Sequence, residues 1–414
     1  MAVSPSLTSC TARRPRAIFI ASYPPRECGI ATFTRDLVTA VDRLNPAEPG
    51  GIVAMTDPGK SYLYPAAVEW QIQRDVASSY EEAAELVNDG PYDVVNVQHE
   101  YGLFGDAYGA HLFRFLDRLR KPVVLSMHTT LPNPNPELRS VTRRLLERVD
   151  RTIVLARTAL DILERDYAAD CSRVRFVPHG VPNVHFISPD RAKRALGLGR
   201  RPVLATCGLM NPGKGIEYAL DAVAALVDEF PDLVYLVVGE THPGVRAEMG
   251  EAYREQLEEQ VRRLGLEDHV VFENRYLAYR ELVLRLLACD VYVVPYLDLN
   301  QIVSGTLAYA VGCGRAVVST ASAYASEILA DGRGLLAEAR SAASLQSRIG
   351  ALLRNPEYRG QVQLRAYRRG HAMVWPNVAQ AYLETFREVC EPRAAVLPAV
   401  VEPAGSFVLE ALTA

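Results

Sequence analysis

No apolar run in this chain approaches the roughly 18 residues needed to span a bilayer. The first fifteen residues place Arg13 and Arg14 after their few apolar positions, the wrong order for a signal peptide. The seven cysteines, at 10, 28, 171, 207, 289, 313 and 390, form no CxxC pair, and one is left over in any pairing scheme. That excludes a disulfide framework and points to a reducing compartment, so we expect a cytoplasmic protein. Positive charge is not in excess either: 45 Lys and Arg against 49 Asp and Glu give −4, which argues against nucleic acid or an anionic membrane as partner. Lysine is scarce, with four (60, 121, 193 and 214) among those 45, so 41 are arginine, as a GC-rich bacterial genome would give.

Three nucleotide or metal fingerprints are missing as well. The turn after the first apolar run, Tyr23 to Thr32, holds one glycine, Gly29, and is not GxGxxG, so dinucleotide binding loses its usual mark. Gly213-Lys214 is followed by Gly215 and not by Ser or Thr, so no Walker A loop is present. No DxD-type carboxylate pair follows a strand, and Asp298-Leu299-Asn300 reads as a polar turn. No catalytic metal is therefore expected.

What is present is an α/β pattern that occurs twice. In 414 residues, 49% hydrophobic and 23% charged, Val- and Ile-rich runs alternate with amphipathic segments, as in a parallel sheet wrapped by helices. The first series of strands is Ala17–Ser22, Gly51–Met55, Asp93–Gln98, Val123–Met127, Thr152–Ala156 and Val174–Pro178. The second is Val203–Cys207, Val234–Gly239, Val270–Glu273, Val291–Pro295, Ala316–Thr320 and Gly334–Ala337. Pro and Gly break the chain between Gly180 and Arg201, and the linker is placed at 186–201. Two doubly wound domains follow, 16–185 and 202–374, with a last amphipathic helix after Trp375-Pro376. Residues 1–15 and the tail 391–414 carry too little pattern to assign.

Ligands of open α/β sheets bind beyond the carboxyl ends of strands. There the segment Pro295 to Thr320 reads as strand, turn, helix start, glycine stop and strand, with Ser304, Gly305 and Thr306 opening the helix. Free amides and the positive dipole end suit a phosphate, although an N-cap serine and terminating glycines would also explain the segment taken alone. Gly208 to Gly215 is a glycine-rich loop delivering Lys214 to a helix start, suited to a diphosphate, or else a surface turn with a solvated lysine. His99 and His128 stand at adjacent strand ends, a catalytic or a structural pair. Thr241 to Arg254 is longer than a usual βα turn of about 2 to 6 residues, either a functional loop or a surface insertion.

In their order and spacing these pieces resemble the family-4 retaining glycosyltransferases of the GT-B fold, over roughly residues 16 to 390. The marks are Gly29 in its Pro-rich loop, His99, the turn Pro178-His179-Gly180-Val181, the Gly208 to Gly215 loop and Gln301 to Val318. The resemblance implies two Rossmann-like domains facing a cleft, the second holding a nucleotide-sugar and the first, joined by the helix 375–390, the acceptor. It implies metal-independent transfer of a hexosyl group, with retained configuration, to a small-molecule or saccharide hydroxyl. No cofactor beyond the nucleotide-sugar co-substrate is implied. Lys214 and the Ser304, Gly305 and Thr306 amides would bind the diphosphate, Gly29 would approach it from across the cleft, and His99 would contact the donor sugar. His128 would touch sugar or acceptor.

Departures accompany the matches. Many members carry two glutamates eight positions apart, for the donor sugar and the ribose, where this chain has Gln301 and Tyr309. One of two expected diphosphate cations is also missing, since Gly208 is followed by Leu209 and Met210. Arg275 or His242, both near strand ends, would replace it. These departures keep open a GT-B relative with other chemistry, such as a pseudo-glycosyltransferase, phosphorylase or epimerase, or a non-catalytic nucleotide-sugar binding protein.

Overall fold

In the computed structural model, which describes residues 13–391, the chain forms two open parallel sheets. The first has seven strands: β1 (Ala17–Ala21), β2 (Gly51–Thr56), β3 (Val68–Gln73), β4 (Val94–His99), β5 (Val123–Met127), β6 (Arg151–Val154) and β7 (Val174–Phe176). The second has six: β8 (Val203–Cys207), β9 (Val234–Val238), β10 (Val270–Glu273), β11 (Val291–Val294), β12 (Ala316–Thr320) and β13 (Leu335–Ala337). Their orders are 3-2-1-4-5-6-7 and 10-9-8-11-12-13. In each sheet the direction of winding reverses beside the first strand, between β1 and β4 and between β8 and β11. Such reversals open a crevice at the strand ends.

The central strands are buried along their whole length, as AIFIA of β1 and VYLVV of β9 show. Helices on both faces demand such continuous apolar runs. β3 was not foreseen, and the reason is its position. As an edge strand it buries only Ile72, and its VEWQIQ alternates polar residues into the run. The segment 186–201, expected as plain linker, carries a short helix, Asp190–Ala195, whose Lys193 is buried in an ion pair with Asp290 at 2.6 Å.

Thr241 to Arg254 is not an open loop. It forms helix Pro243–Met249 and enters helix Ala252–Arg263, because His242 Nδ1 caps the Gly244 amide and Pro243 suits a first helical turn. The last helix, Trp375–Cys390, returns to the first sheet. There Phe386 meets Phe19 edge-on at 6.1 Å and Tyr382 Oη donates to Ser126 Oγ at 3.1 Å. Of the unassigned segments 1–15 and 391–414, residues 1–12 and 392–414 lie outside the described residues. Arg13 is already tied to Glu48 and Asp93, each at 2.7 Å. No helix among the described residues is long and apolar enough to cross a membrane.

Candidate active site

The two crevices meet at one cavity of about 310 Å³. Its second-unit wall brings main chain to the cavity at Gly208, Gly239 and Gly305. β8 ends at Cys207, and Gly208 turns the chain at φ +133. Gly239, at the end of β9, has the same φ, and a Cβ there would stand 2.1 Å from the Gly208 carbonyl oxygen. The two strand ends are thus packed backbone on backbone, which only glycine permits. The loop then makes a turn, Pro212–Lys214, and leaves it through Gly215 at φ +61, pressed against the Pro295 carbonyl. Leu297 N donates to Gly213 O at 2.9 Å, so the loop is pinned to the chain leaving β11.

This pinning aims Lys214 into the cavity, with Nζ 3.8 Å from the centroid of the Tyr296 ring. Lys193 has a carboxylate partner; among the described residues Lys214 forms no ion pair. Beside it begins the helix Gly305–Gly312. Ser304 is its N-cap in extended conformation, yet its side chain caps nothing and the first turn holds no acidic residue. The first amides and the dipole's positive end are therefore left for a ligand.

The first-unit wall comes from the helix Gly29–Leu44, through Gly29, Thr32, Phe33 and Arg35. Its N-cap is Cys28, whose Sγ accepts from Ala31 N at 3.3 Å. A Cβ on Gly29 would meet no atom within 4 Å, so the packing of this chain does not require glycine there. Two hydrogen bonds cross between the units at the cavity: Thr32 Oγ1 with Tyr276 Oη at 2.7 Å, and Tyr309 Oη to Asp36 Oδ2 at 2.6 Å.

Of the residues singled out from sequence, Gly29, Gly208, Lys214, His242, Gln301, Ser304, Gly305, Thr306 and Tyr309 line this cavity. Tyr309 has its hydroxyl committed to Asp36. His242 is exposed on the rim and held low in pKa by partial burial and then by the Lys214 charge.

Three residues do not reach the wall. His99 is wholly buried: its ring stacks on Phe104 at 5.8 Å and meets Tyr101 edge-on at 5.1 Å, and neither ring nitrogen has a partner. Burial alone lowers its pKa to about 4. The strand-end rule placed it correctly along β4, but the segment after β4 folds back over the ring. His128 lies behind Phe33, edge-on at 4.7 Å, with Nε2 2.8 Å from Gln98 Oε1. Burial, then the nearby His179 and His99, lower its pKa to about 3. Arg275 turns outward to Glu281 at 2.7 Å and Glu273 at 3.7 Å, because the helix after it supplies Glu281.

His179 and Arg35 were missed as lining residues, and Asp36, which stands behind the wall and bonds both Arg35 and Tyr309, was missed as well. His179 is buried, with Nδ1 2.7 Å from Gly180 O, which makes Nδ1 the donor and leaves Nε2 free to accept. That Nε2 lies 3.1 Å from where a Cβ on Gly305 would be, at the uncapped helix start. Burial lowers its pKa to about 4, so it is neutral at ordinary pH. A signal for the first wall did exist: 29, 32, 33 and 36 fall on one helical face.

On the second unit Lys214, without an ion-pair partner among the described residues, and the uncapped start of the Gly305 helix suit an anion. Among the described residues no group of three or more His, Cys, Asp or Glu is placed to hold a metal.

Two parallel-sheet units sharing such a cleft define the GT-B class. The Anabaena protein HepE in complex with UDP and glucose superposes with TM-score 0.70 at 16% identity, covering 90% of this chain and 100% of that one. Sucrose-phosphate synthase from Thermosynechococcus elongatus gives 0.72 at 18%, covering 90% and 98%. At these identities the fold alone is shared. Sequence carries the assignment further.

A model for group 1 glycosyl transferases matches residues 201–355, and one for glycosyltransferase family 4 matches residues 60–185. The D-inositol 3-phosphate glycosyltransferase of Kineococcus radiotolerans is 30% identical over 307 residues, 67% of this chain and 69% of that protein. The GDP-mannose-dependent α-(1-6)-phosphatidylinositol monomannoside mannosyltransferase of Mycolicibacterium smegmatis is 29% identical over 191 residues, 44% and 47% of the two chains. The chain belongs to the glycosyltransferase family these models describe, and is a glycosyltransferase.

Proposed function

We propose that the enzyme transfers a sugar from a nucleotide-diphosphate-sugar to an acceptor hydroxyl, with retention and without a metal. The observation that carries this reading is the convergence of Lys214, the uncapped amides of Gly305 and Thr306, and the Gly29 helix start on one cavity. The second unit, 202–374, holds the nucleotide, and the first unit closes over the diphosphate and presents the acceptor.

In the reaction the bond from the anomeric carbon to the β-phosphate oxygen breaks. The bond to the acceptor oxygen forms on the same face, and the acceptor proton passes to the departing phosphate. Charge grows on that diphosphate, where fixed amides and the Lys214 ammonium stabilise it without reorganising. A neutral His179 beside the Gly305 helix start accepts a hydrogen bond from the donor and adds no charge. No cofactor is required beyond the co-substrate. A reducing, cytoplasmic setting accords with the six described cysteines, all of which are free.

The test is incubation of the purified chain with UDP- and GDP-sugars. Expected are a raised melting temperature with the correct donor, release of nucleoside diphosphate on turnover, and an NMR product of unchanged anomeric configuration. Turnover is expected to persist in EDTA. If no donor shifts the melting temperature or is turned over, the reading is wrong; an inverted product or EDTA-sensitive turnover would overturn the mechanism.

A further inference from the structure

Asp36 was not among the residues the sequence pointed to, yet it bonds a lining residue of each unit, Arg35 and Tyr309. It follows Gly29, Thr32 and Phe33 on the cavity face of the first unit's helix, one turn deeper. One carboxylate oxygen, Oδ1, accepts from Arg35 Nε at 2.9 Å and Nη2 at 2.7 Å. The other, Oδ2, accepts from Tyr309 Oη at 2.6 Å across the cleft. Its side chain is only 10% exposed.

Adjacent positions on a helix do not face one another. The Arg35–Asp36 pair therefore requires the arginine stem to bend along the helix, and this directs the guanidinium to the cavity wall, where Arg35 is found. Two of its nitrogens are used by Asp36. Nη1 makes no hydrogen bond to the described residues and is the donor left for a ligand. A bare carboxylate would repel a diphosphate, but this one is saturated by a cation and a phenol.

The Tyr309 phenol is held well above its ordinary pKa by burial and then by Asp36, so it stays a donor. Tyr309 lies one turn past Gly305 on its own helix. The contact thus joins the two helices whose starts face the cavity.

We propose that Asp36 is a positioning residue for donor binding, fixing Arg35 as the first unit's cation against the donor diphosphate and fastening the two walls through Tyr309. This rests on the donor-site reading above. An arginine ordered before the ligand arrives loses less side-chain freedom on binding, and Asp36 supplies that order.

The experiment is calorimetric titration of the full chain with UDP and with GDP, together with donor and acceptor KM. Asp36→Ala and Arg35→Ala are each expected to raise the Kd by about tenfold, as loss of a charge-assisted contact does. The double variant should be no worse than either single one, since the two act as a unit. Acceptor KM should hold, and Asp36→Glu should recover part of the donor affinity. Tyr309→Phe should raise the Kd by a smaller factor. Should Asp36→Ala not fold, Asp36→Asn keeps the shape and removes the charge, and the same rise is expected.

A Kd within about twofold of wild type for Arg35→Ala, or additive effects in the double variant, overturns the proposal. If in that case Lys214→Ala still weakens binding, the donor site stands and only the role of Asp36 falls. If wild type binds neither nucleotide, or Lys214→Ala changes nothing, the donor-site reading falls too.

Discussion

The helix beginning at Gly29 and the helix beginning at Gly305 aim at one cavity from opposite units. Yet the first has its Ala31 amide taken by Cys28 Sγ, while the second has no side chain on its first amides. The walls behind them differ in the same sense. On the second unit the cavity meets main chain at Gly208, Gly239 and Gly305, beside the side chains of Lys214, His242, Gln301 and Tyr309. On the first it meets side chains, among them Thr32, Phe33 and Arg35, on an otherwise regular helix. Backbone donors cannot change chemistry by point substitution, whereas side chains can. The main-chain part of the second wall is therefore fixed whatever side chains surround it, whereas the first wall can be altered residue by residue.

The largest expected effect tests the rigidity of the second wall. Gly239→Ala would drive a methyl into the Gly208 carbonyl at a φ that side chains rarely adopt. It should cost about 3 kcal/mol, combining strain and overpacking, measured by urea unfolding. A loss under about 0.5 kcal/mol would mean that the wall is soft.

Next comes charge: Lys214→Ala should weaken nucleoside diphosphate binding by about 1.5 to 3 kcal/mol with little change in stability, since the ammonium has no ion-pair partner to lose. Equal affinity in wild type and variant would remove the second wall's claim on the phosphates.

Acid should act on the first unit. His99, His128 and His179 titrate at about 4, about 3 and about 4 in the folded chain, depressed by burial, against about 6.5 unfolded. Between those values the unfolded chain binds protons that the folded one refuses. Their contribution is therefore whole above pH ~6.5 and falls by about 1.4 kcal/mol per pH unit per histidine as pH drops toward ~4. Unfolding followed at pH 7, 6 and 5 should show this slope, and His128→Gln should flatten it. An unchanged slope would contradict the neutral, buried state.

The smallest effect separates ligand room from packing. Gly29→Ala meets open space, so its melting temperature should hold or rise slightly, while donor affinity falls by about threefold. Unaltered affinity would show that the first wall stands clear of the ligand.

The glycine loop, Lys214 and the Ser304 to Thr306 helix start, which line the cavity, were legible because glycines and a lone lysine at strand ends leave a pattern in one dimension. Both sheets were likewise legible from runs such as VYLVV, which burial on two faces requires. β3 was not, because an edge strand alternates and looks like loop. His99 and Arg275 were assigned to the site by position along the chain, but where their side chains point depends on Phe104 and Glu281, which sequence order does not connect to a cleft. Asp36 was hidden for the opposite reason: its partner, Tyr309, lies 273 positions away.

The helix Trp375–Cys390 closes the first sheet with residues that follow the second unit along the chain, through Phe386 on Phe19 and Tyr382 on Ser126. A nascent chain therefore completes the second unit while the first still lacks a layer of its core. Domains usually mature from the N-terminus during synthesis, but this first unit has its full core only once residues 375–390 are made. Until the helix Trp375–Cys390 leaves the ribosome, the first unit exposes the apolar surface around Phe19, and a chain cut short before Trp375 leaves the first sheet without that layer.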